Sequence, residues 1–94
     1  VIAKRNWTVF CSEIAGGVLH SLPDRVEGVM TLFLRDLARR GGAAIDAGLP
    51  PPGKPRDTKG IEWSVSVDDL DACVEYVVMA DIKELYIEDI VWTG

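Results

Sequence analysis

Apolar positions recur along this chain in different rhythms, and each rhythm predicts a different element. Asn6-Trp7-Thr8-Val9-Phe10-Cys11 is rich in β-branched and aromatic residues and reads as a short strand, a candidate sheet edge. Ser12 offers a helix N-cap, with Glu13 favourable in the first turn. Ile14, Val18, Leu19 and Leu22 trace a helical stripe, weakened by Gly16-Gly17 and ended by Pro23. Asp24-Arg25-Val26-Glu27 has the form of a capping box with Asp24 as the cap. Behind it, Val26, Val29, Met30, Phe33, Leu34 and Leu37 follow a three-and-four spacing, with Arg25, Thr31, Arg35, Asp36 and Arg39 on the other side. That pattern predicts an amphipathic helix from Asp24 to Arg40, stopped by Gly41-Gly42. The short junction at Leu22-Pro23-Asp24 makes the two helices an antiparallel hairpin.

Residues 41–60 break the periodicity. Leu49-Pro50-Pro51-Pro52-Gly53-Lys54-Pro55-Arg56 imposes extended geometry, and so long a Pro/Gly-rich loop is expected to be functional or mobile, with the Pro50–Pro52 stretch moving. Alternation resumes at Ile61, Trp63, Val65 and Val67, a half-buried strand with Glu62, Ser64 and Ser66 on its other face. Asp68-Asp69-Leu70-Asp71 reads as a turn, Ala72 to Ala80 as a second strand, and Asp81-Ile82-Lys83-Glu84 as a second turn. In the last strand, Leu85 to Trp92, the pattern slips between Ile87 and Ile90, which predicts a bulge near Glu88-Asp89. The order is β-α-α-β-β-β: an α+β domain spanning residues 1–94, with residues 1–5 flexible and a helical hairpin covering one face of a sequential antiparallel meander.

Charge changes the picture more than composition does. The net charge is −5 and 48% of residues are hydrophobic, ordinary for one globular domain. Residues 1–60 hold nine basic and six acidic side chains, whereas residues 61–94 hold one basic residue, Lys83, and nine acidic ones. The predicted sheet is therefore acidic, and any basic patch lies in the first sixty residues. No apolar run approaches the roughly 20 residues of a membrane span. Cys11 and Cys73 are too few for a disulfide framework and wrongly spaced for zinc, so a cytoplasmic protein with reduced core thiols is expected, with no membrane association, cofactor or metal.

This order resembles the RelE/ParE superfamily of small bacterial toxins. The resemblance covers nearly the whole chain: Trp7-Thr8-Val9 in a first strand, Ser12-Glu13 with Leu19 and Leu22 on the first helix, a second amphipathic helix, then a basic loop ending at Gly60 before an aromatic-containing strand. Cys73-Val74-Glu75-Tyr76-Val77 looks like the family's central strand, in which an Arg precedes a Tyr by three positions. The resemblance implies the toxin of a type II toxin–antitoxin pair, with an antitoxin as partner and ribosome-bound messenger RNA or gyrase as target. It also implies that Lys54, Arg56 and Lys59 match the family's basic region before the strand. Cys73 stands at the Arg position, and Val91-Trp92-Thr93-Gly94 replaces a C-terminal basic or His residue. An open face carrying Glu62, Cys73 and Glu75 repels phosphate, which argues against RNase activity. The alternative is a non-catalytic protein-interaction module with an acidic sheet face that binds a basic protein.

Each candidate site has a plain structural reading beside its functional one. Lys54, Arg56 and Lys59 contact RNA or a target, extended by Arg35, Arg39 and Arg40, or they are a solvated loop and a helix end that complements the macrodipole. Glu62, Glu75 and Glu88 supply a general base or metal pair, or only an acidic face; Glu62 and Glu75 are the catalytic candidates. Asp68, Asp69 and Asp71 form a hairpin turn or a weak calcium loop. His20, off the apolar stripe, reads as a surface histidine. Tyr86 and Trp92 dock a partner or close the core. A short first strand and an apolar C-terminus leave a homodimer open.

Overall fold

A computed structural model describes residues 6–94, so the flexibility expected of residues 1–5 lies outside the described residues. The fold is α+β. Strand β1 (Thr8–Cys11) leads into α1 (Glu13–Ser21) and α2 (Asp24–Asp46), followed by β2 (Lys54–Pro55), β3 (Glu62–Val67), β4 (Ala72–Met79) and β5 (Glu84–Trp92). The strands form one five-stranded sheet in the order β1-β5-β4-β3-β2. Strands β2 to β5 pair antiparallel in sequence, but β1 runs parallel to β5, so the sheet is mixed and not a pure meander. The two-residue β2 was not expected and makes the order β-α-α-β-β-β-β.

Side chains alternate between a helix-covered face and an uncovered one. Trp63, Val67, Val74, Tyr76, Leu85, Ile87 and Ile90 point to the helices and pack with Ala15, Leu22, Met30, Leu34 and Leu37. Leu85 and Ile87 fall two residues apart, but Ile87 and Ile90 fall three apart, and both are buried. The pairing shows why: Glu75 faces Asp89 while the next residue, Tyr76, faces Ile87, leaving Glu88 as the extra residue of a bulge. Ser12 locks that bulge to the first helix. Its hydroxyl accepts from the Ala15 amide (3.0 Å) and donates to the Glu88 carbonyl (2.8 Å), while its own amide donates to the Ile87 carbonyl (2.8 Å).

Three helix expectations change. The buried stripe of α1 runs through Ala15, not Ile14, which is 69% exposed. Asp24 is the first residue of α2 rather than its cap; Pro23 precedes the helix and makes no side-chain cap. Gly41-Gly42 does not stop α2, which continues for more than another turn. Each mid-helix glycine costs about 1 kcal/mol relative to Ala, but here both are buried contact points. The Trp7 ring lies so close over Gly42 that a Cβ there would overlap it, and Leu85 and Pro52 approach Gly41 to where a Cβ would sit 3.5 Å away. Trp7 also donates its indole N–H to the Asp46 carboxylate at 3.1 Å. The stop lies at Gly48 (φ +75°), where the Gly48 amide bonds Ile45 and the Leu49 amide bonds Ala44, a Schellman turn.

The expected loop at residues 41–60 therefore shrinks from both ends. Pro51 is buried, and Tyr76 donates its hydroxyl to the Pro52 carbonyl at 2.6 Å. Gly53 (φ +105°) is pressed so tightly against the Ser64 carbonyl that a Cβ cannot fit. Anchored this way, the proline run packs against the sheet and the end of α2.

Two substitutions separate these effects. Gly42→Ala should destabilise the protein by about 1–3 kcal/mol through overpacking against Trp7, whereas Gly17→Ala, with open space around it, should stabilise it by about 0.5–1 kcal/mol. Urea unfolding midpoints measure both; equal shifts would contradict the Trp7 contact. Ser12→Ala should cost about 1–2 kcal/mol, because it removes a cap and leaves the bulge carbonyl without its donor.

Candidate functional site

The candidate site is the sheet face that the helices leave uncovered. Cross-strand partners define its ranks. One rank runs Phe10, Tyr86, Val77 and Glu62 across β1, β5, β4 and β3. Its Phe10 and Tyr86 rings stack at a centroid distance of 6.0 Å and 17° between planes, and Phe10 is 59% exposed. The next rank places Glu75 beside Ser64 and Lys54, with the bulged Glu88 on the β5 side. Beyond it lie Val91, Cys73 and Ser66. On the other side of the aromatic pair, Met79 sits opposite Glu84.

Arg56 is drawn over this face by its backbone. The Gly53 turn sets β2 against β3, pairing Lys54 with Ser64 and Pro55 with Trp63, and the Arg56 amide donates to the Glu62 carbonyl at 2.7 Å. The loop is closed by Asp57, whose carboxylate accepts from the Gly60 and Ile61 amides at 2.9 and 3.1 Å. Burial works against the Asp57 charge, but amides from Ile61, Glu62, Gly60 and Lys59 outweigh it and hold its pKa below the ordinary carboxylate value. The Arg56 guanidinium then donates through Nε to the Trp63 carbonyl (3.2 Å) and meets Glu88 in a short hydrogen-bonded ion pair. Glu62 lies 3.7 Å and Glu75 3.9 Å away. The Glu88 hydrogen bond is the largest of the influences that raise the Arg56 pKa, with burial opposing it and the Glu75 and Glu62 charges adding to it.

The expected basic patch does not assemble. Arg56 leaves the loop group to join carboxylates, whereas Lys54 and Lys59 make no ion pair among the described residues. Arg39 and Arg40 belong to the helical layer and both bind Asp36, lowering its pKa through those hydrogen bonds. Arg35 and Arg39 line a cleft of about 420 Å³ with Trp7 and Asp46, between α2 and the start of the chain's described residues. Asp46 also pairs with Lys83 at 3.6 Å, which ties the β4–β5 turn to α2.

The catalytic candidates fare differently. Glu62 and Glu75 do converge, and Glu88 joins them, but their shared partner is a guanidinium, which stays protonated and cannot exchange a proton near neutral pH. His20 is 83% exposed on α1 and lies 3.5 Å from Glu27, in the other layer. Asp68, Asp69 and Leu70 form a 3₁₀ turn, with Asp71 left-handed (φ 52°). Among the described residues no three His, Cys, Asp or Glu side chains come together as a metal site. Both cysteines are free thiols. Cys73 is on the uncovered face, 3.0 Å from the Ser64 hydroxyl, and so is not the core thiol expected; burial raises the pKa of Cys11. Tyr86 and Trp92 part company. Tyr86 stays on the uncovered face, while Trp92, opposite Ala72, packs against the core.

No family model, curated protein or solved structure matches this chain. Among the described residues no helix is long and apolar enough to cross a membrane.

Arg56→Ala leaves three carboxylates facing one another. It should lower stability by about 1–2 kcal/mol, and the deficit should shrink as salt rises from about 0.05 to 0.5 M, because screening relieves the repulsion. Chemical denaturation at two salt concentrations measures this; a deficit insensitive to salt would mean that Arg56 acts only through its bond to the Trp63 carbonyl.

Proposed function

We propose that this protein is the toxin-like member of a bacterial type II toxin–antitoxin pair, acting on translation or another macromolecular target by binding a protein and not by cutting RNA. The observation that carries this reading is the state of Arg56. The one guanidinium over the uncovered face is engaged by Glu62, Glu75 and Glu88, so carboxylates outnumber cations there. A scissile phosphate needs cations facing it and a residue that can pass a proton. On this face Arg56 is already engaged by carboxylates and Lys54 stands in the rank of Glu75, while beside them the face presents stacked aromatic rings of the kind found at binding hot spots. The RelE/ParE-like placement of a strand and helical hairpin ahead of an antiparallel meander supports the toxin setting, with an antitoxin as the partner and the ribosome or gyrase as a target. The same carboxylate excess favours a second reading, a non-catalytic interaction module with no toxicity.

Induction of the full chain in a bacterial host separates these readings. Growth and labelled-methionine incorporation should fall while primer extension finds no new messenger RNA ends. New ends would restore the nuclease, with Arg56 as the first residue to mutate. Normal growth with soluble protein present would favour the non-toxic module.

A further inference from the structure

On the protein-binding function above, we infer that the uncovered face of β1, β5 and β4 takes a basic amphipathic helix from the partner, with apolar side chains on Phe10 and Tyr86 and a cation over Glu75 and Glu88. Phe10, Tyr86 and Val77 form one apolar rank, with Met79 next to it along β4 on one side; on the other side the Glu75 and Glu88 rank separates it from Val91. Phe10, Met79 and Val91 are exposed at 59%, 38% and 46%. Strands spaced about 4.8 Å apart put β1 and β4 about 10 Å apart, about the width of one helix of 10–12 Å.

Charge decides the occupant. Glu62, Glu75, Glu88 and Asp89, the β5 partner of Glu75, share this face with Arg56 and Lys54, so carboxylates exceed cations by two beside the apolar rank. RNA is repelled by that excess. A second copy would bring the same carboxylates on a chain of net charge −5, and like charges facing each other across an interface are unfavourable. A helix bearing Arg or Lys meets the opposite sign, and Arg56 already shows that a guanidinium is accepted there. The spacing also suits a helix. Two residues along β5, from Tyr86 to Glu88, span about 7 Å, and an i to i+4 step spans about 6 Å. A helix lying along the strands can therefore set a Leu on the rings and an Arg one turn later on the carboxylates.

The test is amide-shift titration of the full chain with three probes. One is a synthetic helical peptide of about 18 residues carrying Leu and Arg four positions apart. The second is the same peptide with every Arg replaced by Glu, and the third is a single-stranded RNA of about 20 nucleotides. The basic peptide should shift Phe10, Val77, Tyr86 and Glu88 and bind at least about tenfold more tightly than either other probe. Glu75→Gln and Phe10→Ser should each weaken it severalfold, while Leu32→Ser, on the exposed side of α2, should leave it unchanged. Equal affinity for the two peptides, tighter RNA binding, or shifts confined to the helical layer would each overturn the assignment. A chain that arrests growth yet binds both peptides alike loses this assignment and keeps its toxicity. One that selects the basic peptide without affecting growth supports the assignment and loses the toxin function.

Discussion

The packing of Trp7 against Gly42 is the contact on which the rest of the molecule is arranged. The indole sits where a side chain on α2 would otherwise be, so β1 lies against the helical layer at the sheet's edge. Asp46, held by the same indole and by Lys83, brings the end of α2 to the β4–β5 turn. Strand β1 is thereby set parallel to β5, and that pairing alone puts Phe10 beside Tyr86. The aromatic surface on one face of the sheet is in this sense a product of glycine packing on the other.

Much of this was readable because it rests on spacing. The three-residue step from Ile87 to Ile90 cannot be reconciled with a flat strand that buries both, so a bulge follows from the sequence alone. Ser12 was legible as a cap, and the alternation from Ile61 to Val67 placed Glu62 and Ser64 on the outer face. What failed rests on contacts between distant residues. Gly41-Gly42 has the form of a helix stop, and only the arrival of Trp7 from thirty-five positions earlier in the chain turns it into a packing surface. Tertiary packing overrode the local propensity.

The site was legible by halves for the same reason. Glu62 and Glu75 could be placed by alternation, since period two assigns a face to each residue of a regular strand. Arg56 could not, because a loop residue has no such period, and its position depends on Gly53 meeting the Ser64 carbonyl. Phe10 was read only as a strand former. Its stacking partner became visible with the parallel pairing of β1 and β5, which nothing in a single strand's composition announces.

The bulge at Glu88 has a consequence for how this chain can change over time. The side chain of Glu88 points away from the core and can vary in kind without disturbing the packing beneath it. The extra residue is not what keeps the later residues on their faces: deleting one position between Ile87 and Ile90 would leave the two isoleucines two residues apart, both inward, with Val91 still outward and the ladder regular. Strand β5 could therefore lose a residue at its most irregular point and keep its core face; what would go is the displaced carbonyl that the Ser12 hydroxyl holds, so the bulge is tied to the start of α1 and not to the packing of β5.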